Sequence, residues 1–418
     1  MCAAGTVLSA LSAISLVGRL ASAGLRSAGA ERPIGRQVPP CARRLRGITA
    51  SAASDTVGVI GGGIAGITAA RVLADAGVPV VIHERAESVG GRLSPTACSY
   101  IKAKDPAFAQ AVEQWERDGV LAEWRDAAPH LITTPGAWEP LPGEERWFVA
   151  GKEASPTKLT DVDLTKISVK RGEVFDVNLA DRGTWVVATE QAGDADDLLS
   201  GTVDADAEVP IASHIHSSLI VATPVADAAN FVERKILDGA LGRRRYKDFV
   251  KERVSVALVF EKSLELPFNF AAMIYADAPV TVAICDSSRR AAAGVEAPAD
   301  GSERWVLQSA TGWASGALDD ELEPQAMRDA LLDAFATALG GARLPPVRES
   351  ETVLWPYGDM DYELEGGCAW DDELSLALAG DWAFNGRVEG AWLSGRAAAE
   401  RVLEHRNPRA CADKKSNP

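Results

Sequence analysis

A glycine-rich turn between two apolar segments carries the strongest chemical signal in this sequence. The apolar run 57–60 leads directly into GGGIAG, and an alanine-rich segment of helical pattern follows. In such a turn Gly61 permits the tight reversal, Gly63 lets the backbone approach a ligand with no Cβ in the way, and Gly66 lets the helix lie close to the strand. The free N–H groups and the dipole at the start of that helix favour a bound anion. The spacing therefore predicts a site for the pyrophosphate of a dinucleotide.

Two further features of the same stretch agree with a dinucleotide. Glu84 ends the next predicted strand, 18 residues after Gly66, which is the usual distance for a carboxylate that binds ribose hydroxyls. A carboxylate there repels a 2′-phosphate and so disfavours NADP. Gly90 and Gly91 then precede Arg92, whose planar guanidinium can bind phosphate oxygens in a bidentate manner. The three signals in register favour FAD, and an NAD-dependent dehydrogenase is the lower-ranked alternative.

The elements that must position these residues fall into two styles. The apolar runs 57–60 and 218–222 have the length and composition of buried parallel strands. The segment 254–260 instead alternates large apolar residues with polar or small ones, which is typical of an antiparallel sheet with one covered face. An amphipathic helix is predicted next, over 323–339. The C-terminal segment 376–405 returns to the first style, with a strand, a Gly-Asp turn and a helix.

We therefore predict an α/β protein with a Rossmann-like, discontinuous FAD-binding domain and an α+β substrate domain built on an antiparallel sheet. A chain of 418 residues exceeds what one hydrophobic core usually supports. The predicted division is an N-terminal arm at 1–54, an FAD-binding domain at 55–98, 145–228 and 350–406, a substrate domain at 99–144 and 229–349, and a tail at 407–418.

Charge is distributed unevenly along the chain. Residues 1–54 hold seven arginines, no lysine and a single acid, whereas the remainder has a net charge of −22. The first segment is typical of an organelle transit peptide, with the plastid favoured over the mitochondrion, and an attached disordered arm is the alternative. Its apolar stretch is interrupted by Arg19, which excludes a membrane span there. The acidic remainder argues against nucleic acid and anionic membranes as partners.

Cysteine and histidine spacing points to no metal site. The six cysteines form no CxxC pair, and we expect reduced thiols in an intracellular compartment. His214 and His216 alternate as residues on one face of a strand do, so we interpret them as strand residues and not as metal ligands.

Two segments of the chain resemble the flavin-containing amine oxidase superfamily, and within it the renalase-like group. They are GGGIAGITAARVLADAGVPVVIHERAESVGGR at 61–92 and GGCAWDDELSLALAGDWAFNGRVEGAWLSGRAAAERVL at 366–403. In the second segment GDW, EGA and SGRAAA occur in the order and spacing of the family. DPAFAQAVEQW and WPYGDMD agree more weakly, so the resemblance spans most of residues 57–405.

The resemblance assigns cofactor contacts residue by residue. It implies non-covalent FAD, with the backbone of Val174 against the adenine and Asp381 near the ribityl chain or pyrophosphate. It places the backbone N–H groups of Gly390 and Ala391 at flavin N1 and the C2 oxygen. The residues that it assigns to the ADP half are those of the first motif, namely Gly61, Gly63, Gly66, Glu84 and Arg92.

Three aromatic residues flank the family motifs. Trp355, Tyr357 and Trp382 are candidates for aromatic walls of a substrate site beside the flavin, and core packing is the alternative explanation for each.

The chain also departs from the family in two places. Between Arg92 and Asp105 the usual Asp-x-Gly-Ala-Gln portion is absent, with 99–101 as its counterpart. Around 148–152 the usual Pro-Gly-Met-Ser turn is absent as well. Because both pieces normally wrap the flavin, an error in the chain, weaker FAD binding and a pseudoenzyme all remain open.

The function implied is an FAD-dependent oxidase for a small reduced substrate. Hydride transfer to flavin N5 requires no acid–base dyad from the protein, since the cofactor performs it. O₂ is the expected acceptor and H₂O₂ the product. Resemblance to renalase makes a dihydronicotinamide the leading substrate class, followed by an amine or an isoprenoid. The alternative from another class is a scaffold, with or without bound flavin, that has no turnover.

Overall fold

The computed structural model of the protein describes residues 55–93, 100–141, 145–151, 158, 166–180, 183–190, 211–241, 251–357, 364–384 and 386–407. All of these residues belong to one compact unit. The predicted N-terminal arm at 1–54 and the tail after 407 lie outside the described residues.

The helices of these ranges are α1 (Ile64–Asp75), α2 (Pro106–Arg117), α3 (Val225–Ala228), α4 (Arg234–Leu241), α5 (Asp286–Ala292), α6 (Thr311–Asp319), α7 (Pro324–Ala338) and α8 (Arg387–Arg406), with a 3₁₀ turn at Asp381–Ala383. The strands are β1 (Val57–Ile60), β2 (Val80–Glu84), β3 (Leu121–Glu123), β4 (Pro129–Thr134), β5 (Ala137–Pro140), β6 (Phe148–Ala150), β7 (Ile167–Arg171), β8 (Glu173–Ala180), β9 (Thr184–Glu190), β10 (Ile211–His216), β11 (Ser218–Val221), β12 (Arg253–Phe260), β13 (Phe270–Met273), β14 (Val280–Cys285), β15 (Glu303–Ser309), β16 (Val347–Trp355), β17 (Ala369–Asp371) and β18 (Leu376–Leu378). No helix among them combines the length and the apolar composition that crossing a membrane requires.

A six-stranded sheet forms the first layer, in the order β17-β18-β11-β1-β2-β7. All neighbours from β18 to β7 are parallel, and β17 closes one edge antiparallel to β18. Every residue of β1 and β11 is buried, as expected for central strands of a sheet covered on both faces. The predicted return of the C-terminal segment to the first sheet is confirmed by β18. The carboxyl ends of β1, β2, β11 and β18 therefore share one edge, where ligands bind in open α/β sheets.

A seven-stranded sheet forms the second core, in the order β16-β12-β15-β14-β13-β4-β5. Its pairs are antiparallel except for β13 with β4, which are parallel. The predicted antiparallel pairing of β12 is confirmed, and Val256 and Leu258 are buried in one cluster with Leu331 and Phe335 of α7. The expectation of a single covered face is wrong for this strand, because the alternate residues Ser255 and Ala257 are buried as well. The two sheets thus confirm the predicted combination of a Rossmann-like domain with an antiparallel sheet.

Close helix packing brings the two ends of the described chain together. The predicted C-terminal helix is confirmed as α8, which begins at Arg387. A Cβ on Gly395 would stand 2.1 Å from the carbonyl oxygen of Ala65, so only glycine allows α8 to lie this close to α1. Near the start of both helices, Ile64 and Trp392 share one buried apolar cluster. The first turns of α1 and α8 therefore border the same space.

Three histidines form a cluster between β2 of the six-stranded sheet and β10, namely His83, His214 and His216. The prediction that His214 and His216 share a face of one strand is confirmed, since both rings contact His83 of β2, with centroids 5.1 and 5.2 Å away. The Nε2 atoms of His83 and His216 are hydrogen bonded at 3.0 Å. Burial lowers the pKa of His83 to about 3 and that of His216 to about 4. Within the described ranges, no group of three or more His, Cys, Asp or Glu residues is arranged to hold a metal ion.

We expect acid to weaken the fold through this histidine cluster. His83 and His216 are neutral in the folded protein near pH 7, but in the unfolded chain they take up protons below the ordinary histidine pKa of about 6.5. Their contribution to the free energy of unfolding is therefore complete above about pH 6.5 and falls as the pH drops toward about 4, by up to about 1.4 kcal/mol per pH unit for each ring. Urea unfolding at pH 7 and pH 5 measures the difference.

The matched control for this pH dependence is His405→Gln. His405 is exposed near the end of α8, outside the cluster, with its Nδ1 3.3 Å from Asp372 Oδ1, so its replacement is expected to change the slope of stability against pH less than the replacement of His216. His216→Gln is expected to flatten that slope. A slope that stays as steep in His216→Gln as in the parent protein would contradict the assignment.

Candidate dinucleotide-binding site

The three glycines of the first turn differ in why the structure has glycine at each position. Gly61 has a φ of +98°, a conformation that favours glycine. A Cβ on Gly66 would stand 1.9 Å from the carbonyl oxygen of Gly61. Gly63, in contrast, has an extended backbone with φ −72°, and a Cβ there would meet nothing within 4 Å. The fold thus requires Gly61 and Gly66, whereas the open face at Gly63 is available to a ligand.

Glu84 is held rigidly beside this turn. Its Oε2 accepts a hydrogen bond from the Gly62 N–H at 2.6 Å, and its Oε1 accepts one from the Ala86 N–H at 2.8 Å. The residue is 9% exposed. Each carboxylate oxygen keeps a further lone pair that a ligand hydroxyl can use. The arrangement suits recognition of a ribose.

The second glycine pair packs on the first turn. The Gly90 N–H donates to the Gly62 carbonyl at 2.7 Å, and Gly63 and Gly90 form an isolated parallel bridge. A Cβ on Gly91 would stand 3.2 Å from the Cα of Gly63. Contact between two glycine segments places Arg92 next to the open face at Gly63.

Arg92 joins the first motif to the C-terminal segment. Its Nη2 donates to Asp381 Oδ1 at 2.5 Å, and its Nη1 donates to the carbonyl oxygen of Tyr357, also at 2.5 Å. The Arg92 side chain is 34% exposed and that of Asp381 is 14% exposed. Two predicted cofactor residues that lie 289 positions apart in the chain are therefore in direct contact.

The segment around Asp381 folds tightly onto the start of α8. The Gly386 N–H donates to the Asp381 carbonyl at 2.8 Å, and a Cβ on Gly390 would stand 2.2 Å from the Phe384 carbonyl oxygen. Ala391 packs against the same apolar cluster as the first residue of α1. Gly390 and Ala391, the fourth and fifth residues of α8, thus lie near the start of a helix that borders the dinucleotide edge.

Val174 and Trp382 lie in or against one apolar cluster. This cluster contains Ile60 and Val221, from the ends of β1 and β11, and Val174 packs on it as a half-buried residue of β8. Trp382 is 1% exposed within the cluster. A Cβ on Gly380 would stand 2.3 Å from the indole Nε1 of Trp382, so the indole occupies that space. Among the described residues, Trp382 is therefore placed as a core residue, which is the alternative explanation given for it above.

The other two aromatic candidates lie at the end of β16. Trp355 is half-buried, and its buried Nε1 makes no hydrogen bond within the described residues. Tyr357 packs against the cluster of Trp382, and its hydroxyl donates to Asp227 Oδ1 at 2.5 Å. The cluster brings Tyr357 and Trp382 together, and it does not include Trp355.

The two segments that are shorter than the family pattern pair with each other. Ile101 and Phe148 exchange both backbone hydrogen bonds, at 2.8 and 2.9 Å. Both side chains are buried in one cluster with Ile64, Val388 and Trp392. The shortened segments therefore close against the first turns of α1 and α8.

Sequence reasoning missed two residues that shape this edge. Asp227 follows a Thr-Pro pair in α3 and carries no local signal for its contact with Tyr357. Gly395 belongs to SGRAAA, a run of small residues whose periodicity is a detectable sign of close helix packing.

The fold and the geometry of this edge together define an α/β protein with a Rossmann-like domain, and comparisons with known proteins agree. A family model for an NAD(P)-binding Rossmann-like domain matches residues 59–97. An oxidoreductase from Methanosarcina mazei is similar in structure over 82% of this chain and 100% of its own, with 12% identity and a TM-score of 0.54. Wild-type putrescine oxidase bound to putrescine is similar over 84% of this chain and 99% of its own, with 11% identity and a TM-score of 0.52.

These similarities confirm the fold expected from the sequence. The described residues have the same fold as these two proteins. A likeness at these identities concerns the fold alone, since one fold supports many activities.

Proposed function

We propose that this protein is an FAD-dependent oxidoreductase that oxidises a small reduced substrate of the dihydronicotinamide class. Dioxygen is the proposed electron acceptor and hydrogen peroxide the product. FAD, when bound, supplies the hydride acceptor at flavin N5. The observation that carries the proposal is the open glycine cradle at Gly63, bordered by Glu84 and Arg92. Because Gly63 has no side chain, a diphosphate can approach the backbone there.

The residues of the cradle have complementary roles toward the ADP half. The backbone N–H groups at the start of α1, together with its dipole, favour the pyrophosphate. Glu84 is held by two backbone N–H groups and accepts from ribose hydroxyls. Arg92 offers its exposed portion to phosphate oxygens while Asp381 and the Tyr357 carbonyl hold its orientation.

The start of α8 supports the assignment of the flavin end. Gly390 and Ala391 are the fourth and fifth residues of this 20-residue helix, whose positive dipole end favours negative charge beside it. Close packing of α8 on α1 at Gly395 places both helix starts at one edge. A single extended ligand can therefore contact both.

The substrate class rests on the renalase-like character of residues 366–403. An amine is the second candidate, because putrescine oxidase, a protein with the same fold, was determined with putrescine bound. In either case the chain's own residues bind and orient, and no acid–base dyad is required.

Absorption spectroscopy of the purified protein tests the proposal. We expect flavin bands in the visible range that persist through gel filtration, or that appear after incubation with FAD. Under anaerobic conditions, reduced nicotinamides of different isomeric forms are then added one at a time, followed by putrescine and other amines. Bleaching of the bands by a nicotinamide isomer, and recovery with hydrogen peroxide on admission of air, is the expected result.

The outcomes separate the alternatives. Protein that takes up no FAD overturns the proposal and favours a flavin-free scaffold. Flavin bands that no reduced compound bleaches indicate a flavin-binding protein without turnover. Bleaching by amines alone moves the assignment to an amine oxidase.

A further inference from the structure

A chain of hydrogen bonds runs from the end of the seven-stranded sheet to the dinucleotide edge. Tyr357 follows β16 by two residues, and it makes two contacts outside the seven-stranded sheet. Its hydroxyl donates to Asp227 Oδ1 at 2.5 Å, and its backbone carbonyl accepts from Arg92 Nη1 at 2.5 Å. Tyr357 is therefore anchored at one end and holds Arg92 at the other.

Asp227, which accepts the hydrogen bond from Tyr357, also contacts Arg85. The Asp227 side chain is 16% exposed, and Arg85 Nη2 lies 3.5 Å from its second oxygen. Burial, followed by the hydrogen bond to Asp227, raises the pKa of Tyr357 above its ordinary value. The phenol therefore stays protonated through the physiological range and remains a donor.

The residues of this hydrogen-bond chain come from three separate segments of the protein. Arg85 and Arg92 both belong to the first dinucleotide motif, whereas Asp227 comes from α3 and Tyr357 from the segment after β16. A guanidinium on a flexible side chain loses less freedom on binding an anion when its orientation is already fixed. The carbonyl of Tyr357 provides that fixed acceptor, provided that the side chain holds the backbone in place.

We propose that Asp227 and Tyr357 are positioning residues that hold the Arg92 guanidinium for the dinucleotide phosphates. Through them, the end of the seven-stranded sheet influences cofactor affinity. The inference rests on the proposed FAD site and extends it to two residues outside the glycine motif. Tyr357 then acts through Arg92 and not as an aromatic wall for the substrate.

Titration of the flavin-free protein with FAD, followed by flavin fluorescence, tests the inference. Tyr357→Phe keeps the ring and removes the hydroxyl, and Asp227→Asn weakens the acceptor from the other side. Each change is expected to raise the Kd for FAD about tenfold, as the loss of one hydrogen bond to a charged group does. Tyr275→Phe, the same change in the loop between β13 and β14, serves as the control and leaves the Kd unchanged.

A double-mutant cycle separates positioning from general packing. If Tyr357 acts through Arg92, then Tyr357→Phe has less than about a twofold effect on the Kd in an Arg92→Gln background. The thermal unfolding midpoint without FAD is measured for each variant, and an unchanged midpoint in Tyr357→Phe supports the positioning role.

Two results would overturn the inference while leaving the FAD site intact. One is an unchanged Kd in both Tyr357→Phe and Asp227→Asn when Arg92→Gln weakens binding. The other is an effect of Tyr357→Phe that is as large in the Arg92→Gln background as in the parent protein. Parent protein that binds no FAD defeats the proposed function, and the inference with it.

Discussion

Gly63→Ala is expected to weaken FAD binding about a hundredfold while the protein keeps its stability, whereas Gly66→Ala is expected to destabilise the fold. At Gly63 the backbone is extended and a Cβ meets no protein atom within 4 Å, so alanine is accommodated at a cost within about 1 kcal/mol. The same methyl group would stand against the proposed pyrophosphate. Overpacking of about 3 kcal/mol there raises the Kd for FAD about a hundredfold.

Gly66→Ala acts on the fold itself. Its Cβ would lie 1.9 Å from the carbonyl oxygen of Gly61, a backbone atom that cannot move without breaking the turn. We expect a loss of more than about 3 kcal/mol in the free energy of unfolding. Urea unfolding and FAD titration of both variants measure the two effects separately. The assignment of the cradle fails if Gly63→Ala binds FAD as tightly as the parent protein.

Gly395→Ala is the second change with a large expected effect. A Cβ at Gly395 would stand 2.1 Å from the Ala65 carbonyl oxygen and 2.8 Å from the Ala65 carbonyl carbon, so α8 must move away from α1. We expect a loss of about 3 kcal/mol in the free energy of unfolding from this overpacking. FAD affinity is expected to fall as well, because the first turns of both helices border the proposed site.

The matched control is Gly316→Ala, the same substitution within another helix. Gly316 is exposed in α6, and a Cβ there would meet nothing within 4 Å. Alanine is the better helix former, so this variant is expected to gain about 0.5–1 kcal/mol in the free energy of unfolding. Equal effects of the two substitutions would show that helix propensity, and not the contact with Ala65, governs Gly395.

Local patterns predicted the elements well where neighbouring residues decide them. Asp105 followed by Pro106 is a local signal for a helix start, and its carboxylate accepts from the Ala107 and Phe108 N–H groups at 2.8 and 3.1 Å. The segment of helical pattern after the glycine turn likewise forms α1 at Ile64–Asp75. Caps and turns depend on groups within a few residues, so the sequence contains the information directly.

Contacts between distant segments could not be predicted in this way. The bridge between Ile101 and Phe148 joins two segments that the family pattern describes only as shortened. The aromatic candidates were chosen because they flank motifs, and the structure places Trp382 in the core and gives Tyr357 a hydrogen bond to Asp227. No local periodicity encodes which strand ends meet, because that depends on sheet order.

The sequence by itself determined the glycine turn, the acidic strand end and the approach of Arg92 to a dinucleotide edge. These features need only a strand, a turn and a helix whose backbone conformations are set by adjacent residues. Tertiary structure alone decided that Arg92 meets Asp381 and Tyr357, 289 and 265 residues further along the chain. Arg92 and Asp381 meet because they follow β2 and β18, whose carboxyl ends lie at one edge of the parallel sheet. The contact with Tyr357 depends on where β16 of the other sheet ends.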